Sequence, residues 1–193
     1  KKMEASFVME TKKVGQKLYV IKCIRRASMM KHIKISKSFI DKAKSKSNQM
    51  GQLRNSITKG AGNVHGFLGE IITAQELKAE ESNTYDYDIK LNSLTIDVKT
   101  KRVNTPPKSF YECSIAALNT KQKCDFYVFT RILKNMESGW ILGYLSKEDY
   151  FKKATFLKKG MVDPSNGWAV STDCYNLPIS ELKGIGELHN ETN

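Results

Sequence analysis

The clearest periodicity in the chain lies at 66–81, "GFLGEIITAQELKAEE". There Phe67 with Ile71, and Leu68 with Ile72, stand four apart and build one apolar stripe. The spacing predicts an amphipathic helix. Two later segments, "CDFYVFTRIL" (124–133) and "GWILGYLS" (139–146), are near-continuous β-branched and aromatic runs, the pattern of buried strands. The intervening "KNMESG" has hairpin length. Weaker patterns predict a strand at 17–26 with Leu18, Val20 and Ile24 inward, a strand running into a short helix at 110–118, and a late edge strand at 167–172. Helices are expected over 36–50 and 146–154, with Ser38–Asp41 and Ser146–Asp149 at capping-box spacing. Residues 51–66 are glycine-rich and read as a loop or broken helix, with His65 as a surface residue. Pro106 and Pro107 cannot donate to a ladder and mark another loop.

The segment "YDYDIKLNSLTIDVKTKR" (85–102) reads as a hairpin turning at Asn92–Ser93, since Asn tolerates the positive φ that a tight turn needs. Leu91 then faces Leu94, Ile89 faces Ile96 and Tyr87 faces Val98, which makes a complete apolar side. The other side sets Asp88 against Asp97 and Asp86 against Lys99, with Lys101 beyond. Directly opposed carboxylates repel, so folding alone gives no reason for Asp88 against Asp97. A hard divalent cation does, because it turns repulsion into coordination. Glu70 shares a helix side with Ala74 and Leu77, at the margin of the packed face, where it can point between helix and sheet.

Charge changes the picture next. The 193-residue chain carries a net charge of +12, and the excess is not spread evenly. Residues 1–60 hold 16 Lys/Arg against 3 Asp/Glu; residues 61–193 hold 16 against 17. A basic block of this kind attracts polyanions, nucleic acid first. The division suggests a basic N-terminal extension (1–60, a strand plus a helix) on an α/β core (61–193). No apolar run is long enough for a membrane helix and no secretory h-region is visible, so no membrane is expected and an intracellular, nucleic-acid-associated location is. Of four cysteines none forms a CxxC, which fits buried, reduced thiols. No Walker loop is present, as "GAGNVHG" lacks the Gly-Lys-Ser/Thr ending.

The order Glu70, Asp88, Asp97-Val98-Lys99, with 18 residues and then 9 between the carboxylates, resembles the PD-(D/E)XK nuclease superfamily. The resemblance covers about residues 65–135, without the proline of that pattern, and Asp86 competes with Asp88 for its role. It implies a restriction-endonuclease-like core, a mixed central β-sheet flanked by helices, on which the basic extension read from the charge distribution is expected to pack. It also implies an Mg²⁺-dependent DNA nuclease, endonuclease rather than exonuclease, in which Mn²⁺ can substitute. Asp88, Asp97, Glu70 and the Val98 carbonyl would hold metal, and Lys99 would assist the attacking water. Lys42, Lys44, Lys46, Arg54, Lys101, Arg102, Lys121 and Gln122 are the candidates for contacting DNA, chiefly at phosphates. A homodimer or protein partner suits double-strand cutting. The alternative is a non-catalytic nucleic-acid-binding protein using the basic first third.

Overall fold

A computed structural model describes residues 12–14, 17–19, 30–50, 63–82 and 84–192. Within it the chain is a mixed α/β protein built on one six-stranded sheet. The elements are β1 (Lys12–Val14), β2 (Lys17–Tyr19), β3 (Lys31–Lys34), α1 (Lys37–Met50), α2 (Asn63–Leu77), β4 (Glu80–Glu81), β5 (Ile89–Leu91), β6 (Leu94–Val103), β7 (Glu112–Ala116), β8 (Phe126–Leu133), β9 (Ser138–Ser146), α3 (Lys147–Lys153), β10 (Thr155–Leu157) and β11 (Cys174–Pro178). The large sheet has the order β3-β9-β8-β6-β5-β4. Its β6–β8 pair is parallel and its other pairs are antiparallel. A second sheet, β10-β11-β7, is antiparallel throughout, and β1 pairs with β2.

Helix α2 explains much of the packing. Phe67, Leu68, Ile71, Ile72 and Leu77 are all buried, and they meet Ile89, Ile96, Val98, Val128 and Ile141 from the sheet. Burial of each such side chain contributes about 1.5–3 kcal/mol. Gly69 lets the helix approach closely: a Cβ there would fall 2.0 Å from Thr100 Oγ1 and 2.5 Å from Thr130 Oγ1. Those two hydroxyls, on adjacent strands, bond each other at 2.8 Å. The opposite sheet face, with Tyr127, Phe129 and Leu142, packs with Tyr150 of α3 and with Cys113, Ile115 and Leu177 of the second sheet. Residues 30–50 share in this architecture. β3 is an edge of the six-stranded sheet, and Ala43 of α1 is fully buried in the α2 core.

Several expectations need correction. The helix runs over 63–77, not 66–81; it begins inside the glycine-rich stretch and takes His65 into the interior. It stops in a Schellman turn, with Ala79 N donating to Ala74 O (2.9 Å), Lys78 N to Gln75 O (3.3 Å), and Lys78 at φ 52°. Glu80 and Glu81 then pair as β4. Helix α1 is capped by Ser36, whose Oγ accepts from Phe39 N at 3.3 Å, not by Ser38. Residues 167–172 are not a strand; only an isolated Val162–Ala169 bridge forms there, and β10 is the edge next to β11 instead. Of the strand expected at 17–26, residues 17–19 form β2 and the remainder lies outside the described residues. The expected Ser146 cap is present, accepting from Asp149 N at 3.1 Å. Cys113, Cys124 and Cys174 are free and buried.

Candidate functional site

The hairpin turns where its sequence places the turn. Asn92 has φ 54°, and Leu91–Leu94, Lys90–Thr95 and Ile89–Ile96 pair in register. Past Ile89 the ladder changes. Asp88 N donates to Ile96 O at 2.9 Å, and the Asp88 side chain then takes the next donor, with Val98 N reaching Asp88 Oδ2 at 2.7 Å. The carboxylate therefore replaces a strand partner at this point. Tyr87 consequently does not face Val98: it packs on the opposite side of the sheet, with the cluster around Tyr127. Asp86 does not face Lys99 either; its Oδ1 accepts from Lys123 N at 3.0 Å. Asp86 is thus held in a structural bond, and Asp88 is the aspartate that joins Asp97.

Asp97 is 3% exposed at the start of β6, and Lys99 lies two residues on, so both project from the same face. Lys99 Nζ sits 2.5 Å from Asp97 Oδ2, an ion pair whose angle leaves that buried oxygen without a well-formed hydrogen bond. The same ammonium donates to Gln122 Oε1 at 2.7 Å. Gln122 Nε2 in turn donates to Tyr85 O at 3.0 Å, and Lys147 Nζ donates to Gln122 O. Gln122 thus ties the segment before β8 to the segment before β5, with Lys99 between them. Sequence reasoning placed Gln122 among the DNA contacts; its spacing from Lys99 carries no signal of this bond, since the parallel β6–β8 pairing is what brings the two together.

Glu70 projects from α2, on the sheet side opposite Lys99, and ends against Lys46 Nζ at 3.3 Å. Lys46 also meets Glu81 at 3.0 Å and lies 5.0 Å from the centre of the Phe67 ring. Burial works to lower the Lys46 pKa, but Glu81 and Glu70 hold it above its ordinary value. Burial raises the Glu70 carboxyl, with Lys46 opposing. Asp88 is shifted furthest: burial, then the charges of Glu70 and Asp97, hold its carboxyl well above the ordinary range. Three carboxyl groups thus act on one another across the end of the β5–β6 hairpin.

The donors fit a hard cation in part. Mutually repelling carboxylates, and an Asp97 Oδ2 whose close neighbour is the Lys99 ammonium without a well-formed hydrogen bond, suit an oxygen-seeking ion, and Mg²⁺ needs only one or two carboxylates. Among the described residues, however, no three His, Cys, Asp or Glu side chains stand as a ready metal cluster, and Glu70 is engaged with Lys46. Asp88, Asp97 and the Val98 carbonyl are therefore the direct donors that fit, with Glu70 one step removed.

The candidate DNA contacts scatter. Lys42 pairs with Glu81 and Lys46 with Glu70 and Glu81. Lys44, Lys101, Arg102 and Lys121 are exposed, and Arg54 lies outside the described residues. Burial pushes the Cys113 and Cys124 thiols up to about 12, so neither is a thiolate nucleophile near neutral pH. No helix among the described residues is long and apolar enough to cross a membrane. No family model matches the chain, and no curated protein matches it either.

Proposed function

We propose that the chain is a divalent-metal-dependent nuclease with a restriction-endonuclease-like core, hydrolysing phosphodiester bonds in DNA at the end of the β5–β6 hairpin. The observation that carries this reading is the pair Asp88 and Asp97. Both are carboxylates held against each other's charge, Asp97 Oδ2 meets the Lys99 ammonium without a well-formed hydrogen bond, and Asp88 is fixed by Val98 N, one residue on from Asp97. A merely structural hairpin is destabilised by that arrangement. A bound Mg²⁺ would lower the pKa of its water and offset charge on the phosphate.

The chain's own residues then have distinct tasks. Asp88 and Asp97 bind the ion. Glu70, held by Lys46, adds negative charge to the site. Lys99 offers three N–H donors; Gln122 takes one and the Asp97 charge holds the ammonium in place, which leaves a donor to orient the attacking water or bind a phosphate oxygen. Gln122 and Asp97 together fix the position of the ammonium. The basic first third supplies attraction for the polyanion.

The test is cleavage of supercoiled, linear and branched DNA with Mg²⁺ or Mn²⁺, with binding followed in parallel. Lys99→Ala is expected to lose on the order of 10²–10⁴-fold in cleavage rate, and Asp97→Ala to lose metal dependence with it, while both still bind DNA. Variants that cut like wild type would remove the hairpin from the chemistry. Salt-dependent binding with no cleavage by wild type would favour a non-catalytic DNA-binding protein.

A further inference from the structure

Strand β6 continues past Lys99. Two residues on, Lys101 projects from the same face and is exposed. Parallel pairing sets Lys101 directly beside Arg131 of β8, and directly paired residues point to the same side of a sheet. Arg131 is only 4% exposed. Among the described residues, no carboxylate reaches its guanidinium at ion-pair distance. Its contacts are one Nη2 bond to the Glu112 carbonyl at 3.0 Å and the Tyr111 ring, 4.9 Å from Cζ. A guanidinium has five N–H donors, and a buried one without a counter-charge is costly.

The neighbouring acids do not supply that counter-charge. Asp163 spends its oxygens on Ser165 N (2.9 Å), Asn166 Nδ2 (3.1 Å) and Asn176 Nδ2 (2.7 Å). Glu112 gives Arg131 only its backbone oxygen, and burial raises its carboxyl. The two cations also crowd each other: desolvation, then the Arg131 charge, pushes the Lys101 amine down. An external anion would relieve both.

We propose that Lys101 and Arg131 form a phosphate subsite for the phosphodiester next to the one hydrolysed, so that the nucleic-acid strand runs along β6 from Lys99 toward Lys101. This rests on the nuclease reading. Lys99 and Lys101 are separated by two strand residues, roughly 7 Å, which suits consecutive phosphates of an extended strand. Tyr111 backs the guanidinium plane, and the Glu112 carbonyl fixes one end of its fork, leaving the remaining donors for bidentate recognition of phosphate oxygens.

Short DNA strands carrying one uncharged methylphosphonate linkage, stepped along the sequence, test this against all-phosphate DNA. Binding is read with Ca²⁺ in place of Mg²⁺, so it is measured whether or not cleavage occurs; cleavage is read separately with Mg²⁺. Wild type is expected to lose about tenfold in affinity when the neutral linkage lies next to the cut position. Lys101→Gln, at an exposed position, should bind all-phosphate DNA about as weakly, with a salt slope smaller by about one, and should be indifferent to that linkage. Arg131→Lys keeps the charge, loses the fork, and should show the same indifference. Equal sensitivity of wild type and Lys101→Gln at every linkage position overturns the subsite, as does failure of wild type to bind DNA. Wild-type binding without cleavage overturns the nuclease reading separately, and the linkage scan then still decides whether Lys101 contacts a phosphate.

Discussion

Asp88 does two jobs that conflict. Its Oδ2 accepts from Val98 N, which favours the ionised form, while burial and the charges of Glu70 and Asp97 disfavour it more strongly. Its folded pKa therefore lies above that of the unfolded chain, as does that of Glu70. The stabilisation from such groups is fully present below the unfolded pKa, about 4, and is lost as pH rises through the folded value. Metal-free protein is thus expected to lose stability as pH rises above the ordinary carboxylate range. Asp88→Asn keeps an acceptor for Val98 N and removes the charge. It should raise the melting temperature at pH 7 in EDTA by about 2–4 °C for each kcal/mol relieved, and should weaken stabilisation by Mg²⁺. Melts at pH 5 and pH 8, with and without Mg²⁺, check this; an unchanged pH profile in the variant would place the strain elsewhere. The hairpin register singles out Asp88 and Asp97, but strand pairing ends at Ile89–Ile96 and it is the Asp88 side chain that reaches across. The Lys99–Gln122 bond was not legible, because nothing local to "KQK" announces that its glutamine lies beside β6.

Elements were legible where local physics decides them. The hairpin follows from Asn92 at positive φ and from alternating apolar residues, and α3 follows from the Ser146 cap. The misread elements have nonlocal causes. The β5–β6 ladder ends early because the Asp88 side chain takes a backbone donor, and that sends Tyr87 to the other side. Strand β11 pairs with the edge that β7 offers, and β10 in turn pairs with β11. The seating of α2 is a tertiary matter as well. Gly69→Ala would drive a methyl into Thr100 and Thr130, and overpacking of this kind costs about 1–3 kcal/mol. Because Glu70 is the next residue, the same shift displaces its carboxylate. The expected result is a lower melting temperature together with reduced cleavage. Wild-type stability in this variant would mean that the helix is not held at the Gly69 contact.

At the scale of the whole molecule, charge has two fates. Lys42 and Lys46 of α1 are matched by Glu81 and Glu70, so part of the basic excess is used inside the fold. What is not matched is available for polyanions. Replacing the eight Lys and Arg of residues 1–29 by Gln should leave the cleavage chemistry at saturating DNA unchanged. It should weaken DNA binding and flatten the plot of log affinity against log salt. Titrations over a range of salt concentrations measure that slope; an unchanged slope would assign DNA attraction to the core, with Lys101 and Arg131 as its first candidates.

The sequence by itself determined the local features: helix periodicity, the buried character of β8 and β9, and the hairpin turn with its register as far as Ile89 and Ile96. Each depends on residues within a turn or a hairpin of one another. Only the tertiary structure decided which strand lies beside β6, and with it the partners of Lys99 and Lys101. Parallel pairing joins segments about thirty residues apart, and no short-range pattern encodes that choice. It is settled by which buried faces fit together once α2 has docked.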